Sequence, residues 1–277
     1  MPGTLYVVAT PIGNLEDVTL RALRILREVS VIAAEDTRRT ARLLQHYSIS
    51  TPTTSLHQHN EGLRTEGLVA RLAAGESVAL VSDAGTPVVS DPGSNLVAAA
   101  HAAGIRVEPI PGPSATLAAL SASGMSAEPF CYVGFPPVKG SARKSWFASL
   151  ANQSPTIVLF EAPHRLHRTL EDLLAALGDR KAFLARELTK AHEELLLAPL
   201  SAHLENRREP RGEYTIVIEP KPLESFGQIP YNDHQLRAEF DELVGHGSVP
   251  RAAIRALAEK YGVAARQIYS AVHRTSE

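Results

Sequence analysis

Short apolar runs alternate with amphipathic stretches through the first half of the chain. Thr4–Ala9, Ser30–Ala34, Pro52–Leu56, Val78–Ser82 and Ile105–Ile110 are apolar-rich segments of strand length. Runs of this kind, bounded by turn residues, read as strands buried on both faces of a parallel sheet. Between them lie helical patterns. Val18–Val29 carries leucines at 20, 23 and 26 and arginines at 21, 24 and 27, an amphipathic helix with a basic face. Further helices are predicted from about Arg39 to Tyr47, at Glu61–Ala74, at Ser94–Ala103, and at Ala115–Ser123 behind an N-capping Ser114. Five strand–helix units predict a parallel α/β domain over residues 1–123.

The rhythm pauses at Gly124–Pro129 and resumes differently. Strands are predicted at Phe130–Phe135, Thr156–Phe160, Lys181–Glu187, Glu193–Ala198 and Tyr214–Ile218. Helices are predicted near Ala142–Ala151, at Pro163–Leu177 and near Ser201–Arg207. Strands outnumber helices here, so residues 124–222 are expected to form a second α/β domain around a mixed sheet. Pro220–Pro230 reads as a linker. From Tyr231 the pattern is all helical, and Pro250–Tyr261, Gly262-Val263, Ala264–Arg274 is helix, tight turn, helix. Residues 231–277 are therefore expected to be a small helix-turn-helix-like domain. Its basic face suits nucleic acid or protein equally.

Charge and composition narrow the function without naming it. A net charge of −2 on 277 residues gives no global field toward nucleic acid, so any such contact must be local. One cysteine excludes a disulfide framework and a cysteine-based zinc site. The start MPGTLYVVAT has no signal-peptide pattern and no run approaches a membrane span, so a soluble cytoplasmic protein without membrane contact is expected.

The candidate chemistry sits at strand-to-helix junctions, where open α/β sheets bind ligands. Val78–Gly93, VALVSDAGTPVVSDPG, is strand followed by a structured loop, with either a ligand-binding role or a turn capped at Asp91 or Ser94. The same grammar recurs at Thr10–Asn14 and Ile110–Ser114. No G-x-G-x-x-G, P-loop or G-x-S-x-G motif is present, which argues against dinucleotide, nucleotide-triphosphate and hydrolase sites. His57-Gln58-His59 and the His164/His167 pair lack nearby cysteines or paired carboxylates, so no metal is expected. Dense polar clusters stand at Glu35–Arg39, Phe160–Arg165, Arg186–Glu194 and Gly212–Thr215. Polar junctions in both domains point to a cleft between them.

TPIGNLED, AEDTR, SDAGTP, SDPG, PGPSA, FEAPHR, ELTKAHEE and GEYTIVIE, in that order from residue 4 to about 219, closely resemble the RsmI-type ribosomal RNA methyltransferases. These have the tetrapyrrole methylase fold, and PRAAIRALAEKYGVAARQIY resembles the small helical domain that often ends the family. The resemblance implies two α/β domains with a cofactor cleft between them and a helical tail. It implies methyl transfer from S-adenosylmethionine to the ribose 2′-oxygen of a cytidine in 16S ribosomal RNA. The same fold acting on a tetrapyrrole or a protein acceptor, or a non-catalytic ribosome-binding factor, are the alternatives.

By that resemblance the cofactor is lined by Pro11, Gly13, Asp83, Ala84, Gly85, Pro87, Gly112, Ser114 and Ala115 from the first domain, and by Glu161, Glu213 and Thr215 from the second. A base near the hydroxyl is sought among Glu35, Asp36, Lys190, His192 and Glu193, with Glu35, Asp36 and Lys190 ranked first. Lysine serves as base if neutral, or steadies the developing alkoxide if charged. Arg38, Arg39, Arg165 and Arg168 are the expected phosphate contacts. The expected partner is 16S rRNA or the small ribosomal subunit, and a homodimer follows from resemblance alone.

Overall fold

The computed structural model describes residues 1–205, 209–221, 232–261, 263 and 265–273. Met1–Glu219 is one compact unit holding two sheets, and Pro220–Glu277 is a second.

The first sheet contains β1 (Thr4–Val8), β2 (Val31–Ala34), β3 (Thr53–Ser55), β4 (Val78–Val81) and β5 (Arg106–Ile110), in the order β3-β2-β4-β1-β5. Every pairing is parallel. Side-chain alternation divides each central strand between two cores. Ile32, Ala34, Ala79 and Val81 pack with Leu23, Ile25 and Leu26 of α1 (Leu20–Glu28) and Leu44 of α2 (Thr37–His46). Val31, Ala33, Val78 and Leu80 face the other way, onto Leu68 and Leu72 of α3 (Glu61–Ala73) and Leu96 and Ala100 of α4 (Ser94–Ala102). Burial on both faces is why these strands read as unbroken apolar runs.

Three helix heads carry side-chain caps, the expected Ser114 among them. Thr19, Asp36 and Ser114 each accept a backbone N–H at the head of α1, α2 and α5 (Ala115–Ser123). The head of α4 differs from expectation. Neither Asp91 nor Ser94 caps it. Gly93 occupies the cap position at φ +122°, where a side chain would collide with Leu80. The buried carboxylate of Glu61, the first residue of α3, supplies the cap and accepts from the N–H groups of Gly93 (3.0 Å) and Asn95 (2.8 Å).

The second sheet is mixed, as expected. β6 (Phe130–Tyr132), β7 (Thr156–Glu161), β10 (Tyr214–Ile218), β8 (Lys181–Arg186) and β9 (Glu194–Pro199) lie in the order β6-β7-β10-β8-β9. Only β6 and β7 run parallel. One face packs on α6 (Gly140–Leu150), α7 (Leu166–Leu177) and α8 (Leu200–Glu205). The other receives Ala119 and Leu120 of α5 against Val158, Phe183, Ala185 and Val217. So α5, though it follows β5 in the chain, buries its apolar side on the second sheet and joins the two halves. The strand expected at Phe130–Phe135 stops at Tyr132, because Gly134 turns the chain at φ +70°. Pro163–Arg165 is a short 3₁₀ turn leading into α7, with the proline at its first position. The predicted end of the following helix at Arg207 lies outside the described residues.

The second unit holds α9 (Asp233–Gly245), α10 (Pro250–Tyr261) and α11 (Ala265–His273) around Leu236, Phe240, Leu257, Tyr261 and Ile268. Tyr261 donates to Glu239 (2.6 Å). Most of the predicted linker, and Gly262, Ala264 and Arg274 of the predicted helical pair, fall outside the described residues. No described helix is long and apolar enough to cross a membrane.

Candidate functional site

Strand β4 ends in the loop that the sequence singled out, and the three motif loops of the first sheet are tied together there. Thr10 and Gly85 exchange backbone hydrogen bonds in both directions, each 2.9 Å. Thr10 Oγ1 donates to the Ser82 carbonyl (3.2 Å), and Thr86 Oγ1 to the Pro113 carbonyl (3.3 Å). Gly85 sits at φ +79°, a conformation that disfavours any side chain. These loops form one wall of a cavity of about 520 Å³. The far wall comes from the second sheet, with Phe160–His164, Ala185, Leu188, Lys190 and Glu213–Thr215.

Three carboxylates from the first-sheet side, Glu35, Asp83 and Asp91, line the cavity. Asp83 accepts the Asp36 N–H (3.0 Å), donates its own N–H to Glu35 (3.4 Å) and meets Arg39 at 3.5 Å. Burial pushes the Glu35 carboxyl up, and the charge of Asp83 adds to this, while the Asp83 N–H opposes it. Burial raises Asp91 to about 6, opposed by a hydrogen bond from Ser82 and reinforced by the charges of Glu35 and Asp83.

Backbone strain gathers at the same place. Val88 (φ +74°) and Ser90 (φ +65°) lie in the β4 loop, and Glu187 (φ +50°) and Thr189 (φ +65°) in the loop after β8. Among the described non-glycine residues only Ser48 elsewhere has a positive φ. Each such residue costs about 1–3 kcal/mol and persists only where its surroundings enforce it. Ser90 Oγ lies 2.6 Å from the Tyr132 hydroxyl, a bond between the two halves.

On the far wall, Lys190 Nζ donates to Glu187 (2.8 Å) and Glu213 (2.9 Å). Burial alone would lower its pKa, but the two carboxylates outweigh burial and raise it. The two carboxylates thus favour the charged form of Lys190. The three other base candidates, Asp36, His192 and Glu193, do not line the cavity. Asp36 caps α2 and forms two side-chain bonds with Arg38, which hold its carboxyl far below the usual range. Glu193 accepts the Thr189 N–H (2.7 Å) and so braces the lysine loop; His192 is exposed beside it.

The residues expected around a cofactor divide similarly. Asp83, Ala84, Gly85, Ser114, Ala115, Glu161, Glu213 and Thr215 line the cavity. Pro11, Gly13, Pro87 and Gly112 are not among its lining residues. Gly13 does permit a close approach, but to the protein itself: a Cβ there would lie 2.4 Å from Lys190 Cγ and 2.8 Å from the Leu188 carbonyl. Gly112 lies against Ala9, 3.0 Å from the position of a Cβ. Glu161 is buried and already partnered by the Ala162 N–H, the Thr169 hydroxyl and Arg165. Arg165, expected on a phosphate, is thus held by Glu161 and the Pro136 carbonyl. Arg38, Arg39 and Arg168 are exposed. Asp91, Phe135 and Leu188 also line the cavity. The SDPG motif was the available signal for Asp91 and ELTKAHEE for Leu188; nothing local marked Phe135. Among the described residues no histidine, cysteine and carboxylate cluster suits a metal ion.

Residues 4–203 match the family described as tetrapyrrole (corrin/porphyrin) methylases. A protein of Synechocystis sp. named ribosomal RNA small subunit methyltransferase I is 47 % identical over 270 residues, covering 96 % of both chains. A protein of the same name from Xylella fastidiosa is 51 % identical over 223 residues, covering 79 % of this chain and 82 % of its own. Among solved structures, uroporphyrin-III C-methyltransferase from Thermus thermophilus, complexed with S-adenosyl homocysteine, superposes with a TM-score of 0.58 at 21 % identity. The match covers 78 % of this chain and 97 % of that one, a likeness of fold.

Proposed function

The chain belongs to the tetrapyrrole methylase family, among its ribosomal RNA small subunit methyltransferase I members, and on that basis we propose that it is an S-adenosylmethionine-dependent rRNA methyltransferase. Its acceptor is the ribose 2′-oxygen of a cytidine in 16S rRNA, reached in the cytoplasm on the small subunit. Residues 1–123 and 124–222 act as the two methylase domains with the cofactor cleft between them. Residues 231–277 act as a helix-turn-helix-like accessory domain, and the chain works as a homodimer.

The cavity carries this reading, because its donor set fits the cofactor. About 520 Å³ lies within the range of small-molecule sites. Ile12, Ala84, Phe135, Phe160 and Leu188 offer apolar surface for an adenosine, and Gly85 opens the backbone toward it. Asp83 and Asp91 offer anionic acceptors suited to an ammonium and a sulfonium. When bound, the cofactor supplies an activated methyl group.

The protein's own part is orientation, proton acceptance and charge. Orientation of reacting groups supplies up to roughly 7–11 kcal/mol of barrier lowering. Glu35, raised above the ordinary carboxylate range and facing the cavity, is the proposed acceptor of the hydroxyl proton. Lys190, charged and held between Glu187 and Glu213, steadies negative charge on the acceptor oxygen. Arg38, Arg39 and Arg168 contact phosphate.

The test is incorporation of labelled methyl into small subunits from cells lacking the protein, beside large subunits, uroporphyrinogen and protein acceptors. Labelling of small subunits alone is expected. Labelling of another acceptor would redirect the substrate, and cofactor binding without any transfer would favour a non-catalytic role.

A further inference from the structure

Strand register sets the His57-Gln58-His59 segment beside the cavity mouth. Ala34 pairs with Ser55 on one side and with Val81 on the other. Two residues past the ends of these three strands stand His57, Asp36 and Asp83. At about 4.8 Å per strand spacing, the His57 backbone lies roughly 10 Å from that of Asp83. Leu56 N–H still donates to the Ala34 carbonyl (2.8 Å), so the ladder holds up to the segment.

The turn is rigid. Asn60 accepts the His57 N–H (2.8 Å) and donates to the carbonyl and hydroxyl of Ser55. The N–H groups of Asn60 and Glu61 return to the His57 carbonyl, both at 2.9 Å. Glu61 then caps α4, two residues beyond Asp91, which ties the turn to the cavity loop. Asn60 and the backbone are spent on this framework, and the imidazoles are not. His57 and His59 meet edge to face at 5.9 Å between ring centres. His59 and Gln58 are exposed, and His57 Nδ1 is buried with no hydrogen-bond partner. Arg39 and Arg42 are exposed on the neighbouring α2, one helical turn apart. Arg39 meets Asp83 at 3.5 Å through Nε and is otherwise exposed, which leaves its other guanidinium nitrogens open to solvent.

We propose that His57, Gln58 and His59 form a platform for a nucleotide flanking the target, with its base stacked on the His59 ring and its phosphate held by Arg39 and Arg42. Unstacked RNA bases are commonly held on aromatic faces, histidine included, and arginines serve their phosphates. The role is positional and rests on the rRNA methyltransferase reading above.

Methyl transfer to unmodified small subunits, measured against subunit concentration for the wild type, H59A, H59Y and H57A/H59A, tests it. Loss of base stacking is expected to raise KM for subunits roughly five- to hundred-fold in H59A and further in the double variant. The kcat of H59A stays within about twofold, cofactor affinity by calorimetry is unchanged, and H59Y recovers most of the KM. His59 is exposed, so H59A keeps the fold. A wild-type KM in H59A and in the double variant, or an H59Y as weak as H59A, would overturn the platform while leaving the methyltransferase reading intact. A wild type that methylates no subunit would overturn both.

Discussion

Replacing Glu161 separates a direct cofactor contact from a buried brace. The motif FEAPHR offered this residue as a cofactor ligand, yet its side chain is fully enclosed and its oxygens serve Ala162, Thr169 and Arg165. E161A would leave the Arg165 guanidinium, itself only 17 % exposed, without its counter-charge, and the Thr169 hydroxyl without its acceptor. Removing one member of such a buried pair costs about 3–5 kcal/mol. For a unit of this size each kcal/mol moves Tm by about 2–4 °C, so E161A is expected to melt roughly 6–20 °C lower. E161Q keeps an acceptor for the Ala162 N–H but loses the charge, and should fall between E161A and the wild type. Differential scanning calorimetry gives Tm, and titration of S-adenosylmethionine well below both transitions gives affinity. The brace would be refuted by an E161A that melts within a degree or two of the wild type while cofactor affinity collapses.

Other positions give independent tests. E35Q is expected to lower kcat about 10²-fold or more with little change in KM for subunits, as loss of a proton acceptor should; an unchanged kcat in steady-state assays removes Glu35 from that role. Asp91 shifts from 3.8 to about 6 on folding, so folding takes up a proton between those pH values. Its ionisation therefore opposes folding above about pH 6 and not below about pH 4. D91N should raise Tm at about pH 8 and leave it unchanged at about pH 4; equal effects at both would contradict the shift. G13A forces a Cβ into the lysine loop, and overpacking of this kind costs about 1–3 kcal/mol. A lowered Tm with a weakened kcat is expected, and full retention of both would show that the loop yields freely.

Much of the fold was legible because the central strands β2 and β4 of the first sheet are buried on both faces. Val78–Val81 has no polar face to confuse the pattern, and Ser114 signals its helix start locally. The head of α4 was not legible, because its cap comes from Glu61, 32 residues before Gly93. The site shows the same division. SDAGTP marked the cavity loop through its own turn residues, whereas the charge state of Lys190 depends on Glu187 and Glu213, which only the folded loops bring together. Gly13 was expected against the cofactor, but the close approach it permits is to the stem of Lys190, in a loop distant in sequence. Composition could not separate Arg38 and Arg39, exposed at the head of α2, from Arg165, committed to Glu161.

The most direct test of the proposed function is nucleoside mass spectrometry of 16S rRNA from small subunits incubated with the protein and methyl-labelled S-adenosylmethionine. The expected result is label in 2′-O-methylcytidine at one site, abolished by omitting the protein. Label on a base, on another ribose or on a subunit protein, or none while the cofactor still binds, would contradict it.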